Sequence, residues 1–196
     1  MKIHILAIVL LTLMKVNAQD ENMEKLPYYE IPEASENYTA GTVAARMIDG
    51  LGFRYYWATE GLRPEDLTFK PNEDARTTSE TIAHVFGLSR VIVNAALKQP
   101  NDRSIDQPEL DYESMRKQTL INFRTAADIL RLAEDLSDFN IVFKSEKGIR
   151  EFPFWNTING PIEDAVWHCG QVVLLRRSSG NPFNSKASLF SGKIRE

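Results

Sequence analysis

Four stretches of this chain carry apolar residues at helical spacing. In the first, Val43, Ala44, Met47, Ile48, Leu51, Tyr55, Ala58 and Leu62 recur at steps of three and four, and Arg63-Pro64 closes the run. The second, Thr77 to Leu97, has Ile82, Val85, Phe86, Ile92, Val93 and Ala96 on one side. His84, Leu88, Val91 and Ala95 lie on another, so only a narrow polar strip remains and this helix is expected to be heavily buried. The third begins near Tyr112, keeps Met115, Phe123, Ala126, Ile129, Leu130, Ala133 and Leu136 in register, and is expected to end around Phe139. A fourth starts at Asn159-Gly160-Pro161, where proline suits a first helical turn, and runs to about Ser178 before Gly180-Asn181-Pro182 stops it.

Between the third and fourth runs, "FNIVFKSEKGIREFPFW" has two short β-prone pieces flanking Lys147-Gly148, which predicts a small hairpin or irregular insertion before the last helix. The loop "RPEDLTFKPNEDAR" joins the first two helices. Four long helices with core-facing stripes and no internal repeat predict an all-α helix bundle over residues 38–182. Residues 19–37 are polar and contain proline, and read as an exposed lead-in. Residues 183–196 form a C-terminal extension that the pattern does not place.

The first eighteen residues change the picture. "MKIHILAIVLLTLMKVNA" has a short basic start, an apolar run from Ile5 to Met14 and a small-residue site at Val16-Asn17-Ala18, the pattern of a secretory signal peptide cleaved after Ala18. The apolar run is about half the roughly twenty residues that a membrane span needs. The mature chain is therefore expected in the periplasm or outside the cell, with no membrane attachment.

Without Lys2 and Lys15, 21 basic residues face 27 acidic ones among the 23 basic and 27 acidic residues of the whole chain. An acidic domain with no basic run argues against nucleic acid as a partner. Cys169 is the single cysteine, so no disulfide forms within the chain and the fold must rest on its core.

The fourth helix carries the candidate chemistry. At about 100° per residue, Asp164, His168, Gln171, Val172 and Leu175 share one sector, so an acid, an imidazole and an amide face inward. Asp164 and His168 stand one turn apart, close enough to share one ion, and carboxylate with imidazole suits zinc or a similar divalent metal. Of the three histidines His4 leaves with the leader, so His84 on the second helix is the sole other imidazole. Three protein ligands on facing helices leave a position open for water or substrate. The competing reading is a hydrogen-bonded core cluster in which Asp164 orients His168.

Other residues invite roles that simpler explanations meet. Glu80 lies one turn before His84, but Thr77-Thr78-Ser79-Glu80 has capping-box spacing. Gln171 and Asn159 are candidates to support the site from behind or at its mouth, as is Trp155. Cys169 points about 100° away from His168 round the helix and reads as a small buried residue. Arg176 and Arg177 could grip an anion, although basic residues in a last turn also suit the helix dipole. Phe53, Tyr55, Tyr56 and Trp57 read as packing.

The segments "ARTTSETIAHVFGLSRVI" and "NGPIEDAVWHCGQVVLLRRSSGNP" together resemble the DinB/YfiT-like family of metal-dependent four-helix-bundle proteins. The resemblance covers roughly residues 38–182 and implies an up-down four-helix bundle. In that family a histidine of the second helix and an H-x-x-x-H pair in the last, followed by G-Q, bind a divalent metal. His84 matches the first, and His168 with Gly170-Gln171 matches the end of the pair. Asp164 stands where the family has histidine, a departure that preserves a competent ligand while changing the charge of the site.

The resemblance implies a divalent metal held by His84, Asp164 and His168, zinc or nickel first among the candidates, and an unidentified small-molecule substrate. It suits a metal-dependent hydrolase or thiol-type transferase, and a homodimer is a common state for such bundles. Against it stands a non-catalytic binding or structural bundle whose His/Asp/Gln cluster is a core hydrogen-bond network.

Overall fold

A computed structural model describes residues 25–102, 104–105 and 109–196. The expected leader, residues 1–18, lies outside the described residues. The chain is mostly helical with a small sheet. Helix α1 spans Ala40–Thr59, the short α2 Pro64–Thr68, α3 Thr78–Ala96, α4 Tyr112–Arg131, the short α5 Phe154–Thr157 and α6 Glu163–Ser178. Among the described residues, no helix is long and apolar enough to cross a membrane.

The ends of these helices follow from side chains that satisfy free backbone groups. Thr39 caps α1 by accepting from Thr42 N at 3.1 Å, and its hydroxyl donates to Ala133 O just past the end of α4 at 3.2 Å. Thr77 and Glu80 cap α3 reciprocally, and Asp111 caps α4 by accepting from Ser114 N. At the end of α6, Gly180 takes a positive φ of 85°, and Gly180 N and Asn181 N donate back to Arg177 O and Arg176 O. Glycine adopts that conformation without strain, which is why the helix stops there.

Helix α1 packs on α4 and α6, and α3 packs on the same two, so the four long helices enclose one core. Ile48, Leu51, Tyr55, Ile82, Val85, Ile92, Leu120, Phe123, Leu130, Ile162 and Val172 meet inside it. Tyr55 and Phe123 pack edge to face, their ring centres 6.0 Å apart. The aromatic run of α1 is packing, as its sequence suggests: Phe53, Tyr55 and Trp57 are all buried.

Four boundaries differ from the sequence reading. The third long helix, α4, ends at Arg131, not near Phe139. Leu136 and Phe139 still pack on the core, but from a turn in which Asp135 accepts from Ser137 N, so apolar spacing continues where helix does not. The loop after α1 contains α2, started by Pro64 and held by Asp66, which accepts from Arg63 N. The last helix does not begin at Pro161. Helical backbone runs from Phe154 through a π-helical turn, Ile158–Ile162, into α6, with Pro161 inside the wide turn. Proline lacks the N–H that would bond to Thr157 O and its ring crowds that carbonyl, and a wider turn relieves both.

The fourth correction concerns the lead-in, expected to be exposed. Tyr28 and Ile31 are buried, and Trp57 Nε1 donates to Tyr29 O at 3.1 Å. Tyr28 lies flat on Gly52, where a Cβ would come within 2.4 Å of the ring, so the glycine permits the contact. The C-terminal extension joins it: strand β4 (Ala187–Ser188) pairs antiparallel with β5 (Lys193–Ile194), and Ile31 N donates to Gly192 O. Ile31, Phe53, Trp57 and Ala187 form a second small core there.

The hairpin is present as β2 (Ile141–Ser145) and β3 (Gly148–Phe152), paired Ile141 to Phe152 through Ser145 to Gly148. A two-residue strand β1, Asn101–Asp102, adds in parallel to β2, and Asp102 takes an ion pair from Lys144 at 2.9 Å.

Candidate metal centre

His84 lies in the second turn of α3, and Asp164 and His168 occupy the first turns of α6, immediately after the π-helical turn. His84 Nε2 is 3.1 Å from Asp164 Oδ2, and His168 Nε2 is 3.2 Å from Asp164 Oδ1. The two imidazoles meet edge to face with ring centres 4.6 Å apart. One carboxylate thus receives an imidazole nitrogen on each of its oxygens.

Gln171 completes the arrangement: His168 Nδ1 lies 2.7 Å from Gln171 Oε1. With the Gln171 amide in this orientation its oxygen accepts from Nδ1–H, and in a neutral imidazole of that tautomer Nε2 is a lone pair. That lone pair faces a carboxylate oxygen. Two acceptors at this separation repel unless a cation, either a second proton or a metal ion, lies with them.

The donor set fits a metal ion. The three ligand atoms lie within 4.8 Å of one another, and the cluster can hold an ion. A tetrahedral zinc with bonds of about 2.0–2.1 Å sets its ligand atoms about 3.3 Å apart. His84 and His168 approach different oxygens of Asp164, so whichever oxygen ligates has that spacing to one imidazole nitrogen, with the other nitrogen further off. Side-chain exposure falls from 42% for Asp164 to 12% for His168, so the cluster is anchored in protein at one end and opens to solvent at the other.

The remaining candidates separate cleanly. Glu80 Oε2 accepts from Thr77 N at 2.7 Å and Thr77 Oγ1 at 3.1 Å, which makes it a cap and not a ligand. Its carboxyl is held below the usual range by those bonds to Thr77. Asn159 is exposed in the π-helical turn and no hydrogen bond among the described residues joins it to the cluster; Trp155 is exposed too. Cys169 is buried, as its position round the helix implies. Arg177 is exposed, but Arg176 is buried and crosses to α1, where Nη1 donates to Trp57 O, Ala58 O and Glu60 O. It therefore serves the end of α1, which neither an anion grip nor the dipole of its own helix would have required.

Beside the cluster, a cavity of about 380 Å³ reaches His168 and Gln171 from the loop before α3, with Pro71, Ala75 and the exposed Arg76 on its far side. Arg76 was not singled out from the sequence, because an arginine in a polar loop carries no pattern. A larger, mostly apolar concavity of about 690 Å³ lies between Tyr38, Val43, Met47, Leu136 and Trp155, and touches none of the three ligands.

Set against protein-family models, curated proteins and solved structures, the chain matches none of them.

Proposed function

We propose that the protein is an exported metal-dependent enzyme, a hydrolase or thiol-type transferase, on a DinB/YfiT-like four-helix bundle. His84, Asp164 and His168 hold a divalent ion, zinc or nickel first among the candidates. The observation that carries this reading is the convergence of two imidazole nitrogens on one carboxylate, with the far nitrogen of His168 tied to Gln171. An orienting hydrogen bond behind a ligating histidine fixes its tautomer and raises its basicity. The placement of His84 on the second long helix and of the Asp164/His168 pair on the last supports the family likeness, with aspartate in place of one histidine.

A bound divalent ion would supply Lewis acidity and lower the pKa of a coordinated water or thiol. The chain's own residues do the rest. Gln171 keeps the His168 ring in one orientation. The adjoining cavity, walled by Leu174 and Leu175 with Arg76 opposite, suits a small, partly apolar substrate bearing negative charge. An acidic chain with no basic run gives nucleic acid nothing to bind.

The test is turnover. Metal-loaded protein is assayed on ester, amide and phosphoester substrates and on thiol transfer to electrophiles, beside His168→Ala. Turnover that the variant loses supports the enzyme. A loaded protein with no turnover across the panel favours a binding role for the ion. The rival reading, a hydrogen-bonded core cluster, draws on the same contacts: with a proton in place of the ion, His84, Asp164, His168 and Gln171 form an unbroken polar chain. It requires a protein that takes up no metal.

A further inference from the structure

Helix α6 carries the metal cluster on one side and leaves its opposite face bare. Glu163, Gly170 and Arg177 are exposed along that face, with Val166 36%, Trp167 73% and Leu174 62% exposed. Glycine inside a helix is unfavourable, and among the described residues a Cβ at Gly170 would meet nothing within 4 Å.

Helical spacing puts the positions three, four and seven residues either side of Gly170 on this face, with apolar side chains at three and four and opposite charges at seven. Glu163 lies seven positions before it and Arg177 seven after. Trp167 and Leu174 stand three before and four after on one flank, Val166 and Val173 four before and three after on the other. We propose that this face binds a second copy of the chain through a twofold axis at Gly170, the two α6 helices running antiparallel.

In that arrangement Glu163 meets Arg177 of the second copy, Trp167 meets its Leu174, and Val166 meets the exposed edge of its Val173, which is otherwise packed on the core. Gly170 faces its own counterpart, where the absence of a side chain lets the two backbones approach. The Glu163–Arg177 ion pair is made twice, as an isologous contact requires. The opposite charges of Glu163 and Arg177 make the face complementary to a second copy of itself. On the Val166 flank, a groove of about 330 Å³ between α6 and the C-terminal extension, bordered by Phe183 and Leu189, continues the apolar surface.

The pairing has a consequence for the cavity beside His168. Leu174 lines that cavity, so the tryptophan packed on it from the second copy forms part of its rim. Each copy thereby completes the entrance of the other. The surface itself does not depend on a bound metal.

Sedimentation equilibrium of the purified protein, over a hundredfold range of concentration, tests this with charge exchange. Residues 163 and 177 are about 21 Å apart along one helix, too far to pair within a chain. Wild type is expected to sediment at twice the mass of one mature chain. Glu163→Arg and Arg177→Glu should each raise the dissociation constant at least tenfold, and the double exchange should restore it to within about threefold. Gly170→Ala should weaken association without reducing helical content, since alanine favours the helix more than glycine does. A monomer throughout the range overturns the proposal, as does a dimer indifferent to Gly170→Ala and to both single charge reversals.

Discussion

Gln171 Oε1, three residues further along the same helix, lies 2.7 Å from His168 Nδ1 and is placed to accept its hydrogen bond. The bond decides which nitrogen of the ring faces Asp164. Replacement by leucine keeps the helix and frees the ring. Gln171→Leu is expected to weaken metal affinity by about 10–100-fold, the usual effect of losing such a support. Competition with a chromogenic chelator measures it, and an unchanged affinity would mean that the His168 tautomer is set by something else.

Arg176 ties α6 to the end of α1. Its guanidinium is buried and donates to the carbonyls of Trp57, Ala58 and Glu60 and to Asn181 O and Oδ1. Arg176→Met keeps much of the volume and leaves those acceptors without donors. A loss of about 2–4 kcal/mol is expected in urea unfolding, from several charge-assisted bonds removed together. A change under about 0.5 kcal/mol would place the anchor of this corner elsewhere.

Asp66 gathers donors from Arg63, Ser179 and Asn181 at 2.6–2.9 Å and has no exposed surface. The Arg63 guanidinium, helped by Ser179 and Asn181, holds its carboxyl far below the usual carboxylate range. A depressed native value means that the unfolded chain binds the proton more readily. The stability it lends is complete above about pH 4 and is lost as pH falls toward the native value. Asp66→Asn should lower the melting temperature at pH 7 and flatten its decline below pH 4. Parallel melting curves for the two proteins across pH 2–7 would contradict this.

Burial pushes the Cys169 thiol up to about 12. The native protein should therefore react with less than about a tenth of an equivalent of a thiol reagent within minutes at pH 8, since the thiolate is the reacting species. One equivalent should react in denaturant. Rapid labelling of the folded chain would show that α6 opens readily.

Much of this was legible in the sequence, for identifiable reasons. The four long helices announce themselves through apolar spacing, and Thr77 with Glu80 and Gly180 with Asn181 mark their ends by known backbone chemistry. The hairpin follows from Lys147-Gly148. What escaped were features decided by distant contacts. Leu136 and Phe139 pack in helical register without being helical. Tyr28 and Ile31 are buried only because Gly52 and Gly192 come to meet them. Pro161 looked like a first-turn proline because sequence alone does not show that the chain before it is already helical.

The site was legible in part. Spacing put Asp164, His168 and Gln171 on one side of a helix, while bringing His84 to them needed the resemblance to a known family. Arg76 and the cavity it borders come from a loop whose path no local pattern encodes. The role of Arg176 was hidden for the same reason, since the α1 carbonyls it reaches lie more than a hundred residues earlier.

The most direct test is metal content. Protein purified without a histidine tag is incubated with zinc, nickel or manganese, freed of excess and analysed by elemental mass spectrometry, beside Asp164→Ala and His168→Ala. Near one ion per chain in the wild type, and less than about a tenth in each variant, is the expected result for ligands that act as a set. A wild type that stays metal-free, or variants that keep the ion, would contradict the metal centre and leave His84, Asp164 and His168 as a hydrogen-bonded cluster.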